Sequence, residues 1–175
     1  MSTIINGTSS AITFPDSSVQ NTSAIVSGYV PYANLPAGSV LQVVSATYST
    51  QVSTTSATFI ATGLTATITP KFATSKILVL VNQNGCGKNA TGAPSLGLRL
   101  FRNGSNIVIF ASDSLYSGTS VELREMSYSI SYQDSPATTS ATTYSTVFNN
   151  NQASGTVYVN YGSDVSTITL MEIAG

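Results

Sequence analysis

Histidine is absent from the 175 residues, which removes the commonest general base, proton shuttle and zinc ligand together. Ser-His-Asp and Cys-His nucleophile arrangements are therefore closed to this chain. Cys86 is the single thiol, so no internal disulfide can form. A zinc site would have to be assembled from that one thiolate and scattered carboxylates, and no metal or other cofactor is expected. The acids are Asp16, Asp113, Glu122, Glu125, Asp134, Asp164 and Glu172. Glycoside hydrolysis needs two carboxyls about 5 to 10 Å apart across a sugar cleft. Glu122 and Glu125 are close in sequence, but an odd separation on a strand sends them to opposite faces. The expectation is a protein that is not an enzyme.

Asn84-Gly85-Cys86-Gly87-Lys88 follows an apolar strand and superficially resembles a phosphate loop. The phosphate-binding pattern requires Gly at position 82 and a hydroxyl residue at 89; both positions hold Asn. The stretch is read as a loop whose glycines make tight turns, with Lys88 in solvent and Cys86 inert. Asn-x-Ser/Thr triplets begin at Asn6, Asn21, Asn89 and Asn103, a chance harvest where Ser and Thr make up roughly 30% of the chain. The nine tyrosines suit sugar or protein contacts, but most fall at alternating strand positions, where core or interface is the simpler role.

Those few chemical groups must be carried on a hydroxyl-rich scaffold. Charged residues are 7%, against a typical quarter, while 42% is hydrophobic and rich in β-formers, so the chain folds rather than remaining disordered. Six cations spread along the sequence, with a net charge of −1, offer no cluster for nucleic acid. Met1-Ser2-Thr3-Ile4 has neither a basic start nor an apolar run, so no secretory leader is expected. No stretch approaches 18 apolar residues, so no membrane insertion is expected.

Residues 1–38 are rich in Ser, Thr, Asn and Gly, with isolated apolar anchors and prolines at 15, 31 and 36. They read as an extended N-terminal arm that orders against a neighbour, because alone they bury too little surface to offset ordering entropy. Residues 39–175 read as strand after strand. The expected runs are 40–48, 57–61, 65–69, 76–82, 96–102, 105–111, 123–132, 142–148, 156–161 and 165–173. Short turns separate them, which predicts an all-β fold: an antiparallel β-sandwich, with a jelly roll as the favoured form.

Asn103-Gly104 predicts a two-residue type I′ hairpin that pairs Arg102 with Ser105. Leu100 then faces Ile107 and Leu98 faces Ile109, a core face shared with Leu96 and Ala111. Arg99, Phe101, Asn106, Val108 and Phe110 fall on the other face. Phe101, Val108 and Phe110 are too much apolar surface for solvent and are the candidate subunit-interface residues. Met126 to Tyr132 alternates cleanly, with Met, Tyr and Ile inward and Ser outward. Residues 76–81 and 165–173 are apolar on both faces, which again favours contact between copies over cover by the short loops.

The segment Ala11-Ile12-Thr13-Phe14-Pro15-Asp16-Ser17-Ser18-Val19-Gln20-Asn21-Thr22 resembles a recurrent segment of bacteriophage tail-fibre and virion surface proteins. Ser17 stands where that segment usually has Gly. Residues 35–47 and the ending Ser166-Thr167-Ile168-Thr169-Leu170-Met171-Glu172-Ile173-Ala174 resemble the C-terminal domain of the same proteins. The resemblance implies a homotrimeric fibre-head or capsid-decoration module on the virion surface, assembled in the host cytoplasm. Its partners would be capsid or tail proteins and its own copies. It also implies that Ile12, Phe14, Pro15, Asp16, Val19 and Gln20 form the virion-attachment motif. The alternative is a tail-fibre tip adhesin that binds a host surface glycan or protein receptor through loops such as 86–94 or 112–120.

Overall fold

Both residues of the Asn103-Gly104 turn have positive φ, 48° and 81°, as a type I′ hairpin demands. Around it a computed structural model describes residues 4–5, 11–13, 19–21, 30–89, 92–118 and 120–175. The strands are β1 (Ile4–Ile5), β2 (Ala11–Thr13), β3 (Val19–Asn21), β4 (Val40–Tyr48), β5 (Val52–Thr54), β6 (Ile60–Ile68) and β7 (Lys76–Lys88). They continue as β8 (Leu96–Arg102), β9 (Ser105–Ser114), β10 (Leu123–Asp134), β11 (Thr142–Asn150), β12 (Val157–Val159) and β13 (Ser166–Ile173). Single 3-10 turns at Tyr32–Asn34 and Tyr161–Ser163 complete the regular structure among the described residues.

One sheet runs β4-β13-β7, with β10 on the far side of β7 and the short β12 and β5 extending the near side. The other runs β6-β11-β8-β9, and every pairing is antiparallel. Counting the eight long strands in chain order, the two sheets read 1-8-3-6 and 2-7-4-5. This is the interleaved order of a jelly roll, in which the chain passes repeatedly from one sheet to the other. The expected all-β antiparallel sandwich is the fold.

Two apolar clusters fill the space between the sheets. The first gathers Leu64, Ile68, Ile77, Val79, Leu100, Tyr144, Ile168 and Leu170; the second holds Cys86, Leu96, Leu98, Phe148, Val157 and Val159. Inward residues alternate along β6, β7 and β13, which is why these strands bury every second side chain. The two strands expected at 57–61 and 65–69 are one, β6, bent at Gly63. Its φ of +92° and the Tyr48 ring pressed against its α-carbon leave no room for a side chain.

Candidate interaction surfaces

The hairpin keeps its expected closing pair, Arg102 with Ser105, but three register shifts interrupt β8 and β9 beyond it. Leu100 pairs with Val108 rather than Ile107, and Leu98 with Ala111 rather than Ile109. Each extra residue on β9 is a bulge that turns the rest of the strand onto the opposite face. Ile109, expected in the core, is 51% exposed. Val108 and Phe110, assigned to a subunit interface, are half-buried and pack against the chain's own core, Phe110 against both clusters. The chain's own core thus covers part of each side chain. Phe101 is half-buried beside Ser145 and Asn106. On the same outer side, the Arg99 guanidinium lies 4.0 Å from the Phe59 ring centroid.

Of the attachment motif, Ile12 lies on β2 opposite Ile5 and Gln20, and Val19 lies on β3 opposite Thr13. Strands β1, β2 and β3, all within the segment read as an extended arm, form a three-stranded antiparallel sheet with one another. Phe14, Pro15 and Asp16 lie outside the described residues. From Val30 the chain is tied to the sandwich. Gly38 N–H donates to Ala174 O at 2.8 Å, and Ala174 N–H returns to Ser39 O at 2.9 Å. Tyr32 and Leu35 line a cavity of about 200 Å³ with Phe72, Thr74 and the C-terminal Ala174 and Gly175.

Residues 84–88, read as a loop, are the second half of β7. Gly85 takes a φ of +56° and abuts the Asn160–Tyr161 backbone, while Gly87 abuts the Tyr158 ring and Leu123 O. The glycines therefore serve close approach across a bulged strand rather than loop turns. Lys88, expected in solvent, is fully buried, and its Nζ donates to Ser117 Oγ. Among the described residues the ion pairs are Arg102–Asp134 and Arg124–Glu122. Neither reaches Lys88.

Cys86 is fully buried, and burial pushes its thiol up to about 12. The folded state keeps the proton while an unfolded Cys, titrating near 9, loses it. Above pH ~9 the unfolded state binds fewer protons, so stability falls as pH rises towards ~12. Tyr144 acts in the same direction: burial first, and then its hydrogen bond to Asp134, raise its phenol. Cys86 is expected to resist aromatic disulfide reagents at pH 8 in native buffer and to react at once in denaturant. Rapid labelling of the native protein would show that β7 opens locally.

Polar groups also lie inside the sandwich, and the sequence pattern did not reveal them. Between the two apolar clusters runs a seam of Thr62, Gln83, Thr146, Asn160 and Ser166, all fully buried. Gln83 Nε2 donates to Asn160 Oδ1 at 3.0 Å and Ser166 Oγ at 2.8 Å, and Thr146 Oγ1 donates to Gln83 Oε1 at 2.9 Å. Thr146 also bonds to the Thr62 hydroxyl, so the seam joins β7 to β11 and β6 across the sheets. A second polar knot closes one end. Arg102 Nη1 donates to both Asp134 carboxylate oxygens, at 2.9 and 2.8 Å, and the Tyr144 hydroxyl donates to Asp134 Oδ2 at 2.7 Å. The buried Glu172 carboxylate accepts from Gln42 Nε2 and Lys71 N–H, each at 2.6 Å. Each of these carboxylates has structural partners.

At the surface, the Arg124 guanidinium lies 4.8 Å from the Tyr161 ring centroid and pairs with Glu122. Tyr158 lies beside Tyr161, their ring centroids 5.0 Å apart. Glu122 precedes β10 and Glu125 lies on it. Met126, expected inward, is 44% exposed because the β10–β7 register shifts on both sides of it. Tyr128, Ile130 and Tyr132 do pack inward. Among the described residues no three His, Cys, Asp or Glu side chains gather as metal ligands, and no helix is long and apolar enough to cross a membrane.

No protein-family model matches this chain, and no curated protein sequence does. Among solved structures, the VP2 subviral particle of infectious bursal disease virus is similar at a TM-score of 0.40 and 14% identity, over 77% of this chain. The chain spans 37% of the length of that VP2 chain.

Proposed function

We propose that this chain is a non-enzymatic structural protein of the bacteriophage virion surface. In this reading it is a homotrimeric capsid-decoration or short-fibre protein attached through its N-terminal segment. The observation that carries the reading is the division of the chain. The strands bearing the fibre-like motif, β2 and β3, pair with each other and with β1, apart from the two sheets of the jelly roll. A sandwich that does not use the motif for its own sheets leaves it available for another protein, by strand addition or by side-chain anchoring.

Removing residues 1–29 tests this, because the cut spares the bonds that tie residues 38 and 39 to Ala174. The shortened protein is expected to stay folded and self-associated but to be missing from purified particles. Normal incorporation would overturn the attachment role. A tail-tip adhesin is the second reading. The Tyr161 ring with Arg124 and Glu122 around it offers the stacking surface and polar groups that hold a sugar ring. Copy number separates the two: on the order of hundreds per particle for decoration, on the order of ten for a tail appendage.

A further inference from the structure

We infer that the outer face of the β4-β13-β7-β10 sheet is the surface through which copies of this chain meet. This rests on the self-association proposed above and fixes its location. β7 is apolar on both sides. Ile77, Val79 and Val81 point into the core, and Leu78 and Leu80 point out. The register sets Val43, Met171, Leu78 and Gln133 in one row across the four strands, and two further rows run through Leu80 and Asn82. Twelve positions in these rows hold Ser, Thr, Asn, Gln and the four apolar residues Val43, Leu78, Leu80 and Met171. None is charged. Val43 is 54% exposed. The first charge met, Lys76, lies one row beyond with Val40 and Ile173, its Nζ donating to Ser135.

Three features select a second copy as the occupant. An uncharged face strands the charges of an ordinary protein surface, about a quarter of whose residues are ionised, and has nothing to offer nucleic acid. Its own duplicate, by contrast, strands none. Four strands at ~4.8 Å spacing and four rows at ~6.8 Å, the three uncharged rows and the rim row of Val40, Ile173 and Lys76, give about 500 Å² per copy. Two copies then bury about 1,000 Å², where specific interfaces begin. Finally, β4 is an edge strand of nine residues without Lys, Arg, Asp, Glu or Pro. Unprotected edges of that kind pair with other chains unless something covers them.

The test is the solution mass of the full chain by light scattering, for wild type, Val43→Lys and Ser131→Lys. Both positions are exposed and outward, so a lysine there leaves the core untouched, and circular dichroism checks the fold. Asn106→Lys, exposed on the other sheet, is the control. Wild type and the control are expected to form one oligomer at micromolar concentration. Each outer-face lysine should weaken it by about a hundredfold, to monomer. If Val43→Lys misfolds, Ser131→Lys decides alone. Oligomers retained in both outer-face variants overturn the location and leave the self-association standing. A monomeric wild type overturns the self-association itself.

Discussion

Replacing Gln83 with alanine is expected to lower the unfolding free energy by about 3 kcal/mol, read from guanidinium denaturation at neutral pH. Two effects add. The buried side chain leaves a void, and Thr146, Asn160 and Ser166 each lose a bond in a region water cannot enter. Those partners keep other bonds: Thr146 to Thr62, Ser166 to the Asn84 amide, Asn160 to Thr50 O. That moderates the cost. Gln83→Leu, close in volume, isolates the polar part and is expected to cost about 2 kcal/mol. A neutral or stabilising Gln83→Leu would show that apolar packing alone holds the sheets in register, as buried polar groups elsewhere have proved dispensable.

The second large effect belongs to Asp134. Asp134→Ala removes the carboxylate that accepts from Arg102 and Tyr144, leaving a buried phenol and a guanidinium without their acceptor. Breaking a buried ion pair from one side costs about 3 to 5 kcal/mol. Arg102 is 33% exposed and recovers some hydration, so about 2 to 3 kcal/mol is expected here. Arg102→Ala should cost less, about 1 kcal/mol, because Tyr144 still satisfies the carboxylate. Equal losses in the two variants would mean that the phenol contributes nothing to the knot.

Much of the scaffold is visible in the residues. The Asn103-Gly104 turn fixes its hairpin because only left-handed backbone closes so tight a loop, and β8 has the expected bounds, Leu96–Arg102. Alternation in β10 places Tyr128, Ile130 and Tyr132 inward because period-two patterning and burial are the same fact. Bulges are different. The inserted residues of β9 include Ile107 and Phe110, ordinary β-formers that carry no mark of insertion, so Ile109 is misplaced by simple parity. Asp113, with a φ of 49° at the last of these shifts, is of a type that tolerates left-handed backbone. Glycine is ambiguous in the same way: Gly85 and Gly87 read as turn formers, yet they admit neighbouring backbone and the Tyr158 ring. The polar seam is harder to read: parity sets Gln83 and Ser166 on the core face with Val81 and Ile168, but nothing in a polar residue at such a position shows which buried groups will meet it.

Strand β13 follows every other strand of its sheet along the chain, yet it sits between β4 and β7. A chain still emerging from the ribosome therefore holds β4 with nothing beside it for more than a hundred residues of synthesis. A product that stops short of Ser166 has a gap where its central ribbon should be. Such a fragment cannot present Met171 between Val43 and Leu78. The order of the strands thus delays closure of this sheet until Ser166–Ile173 has been made.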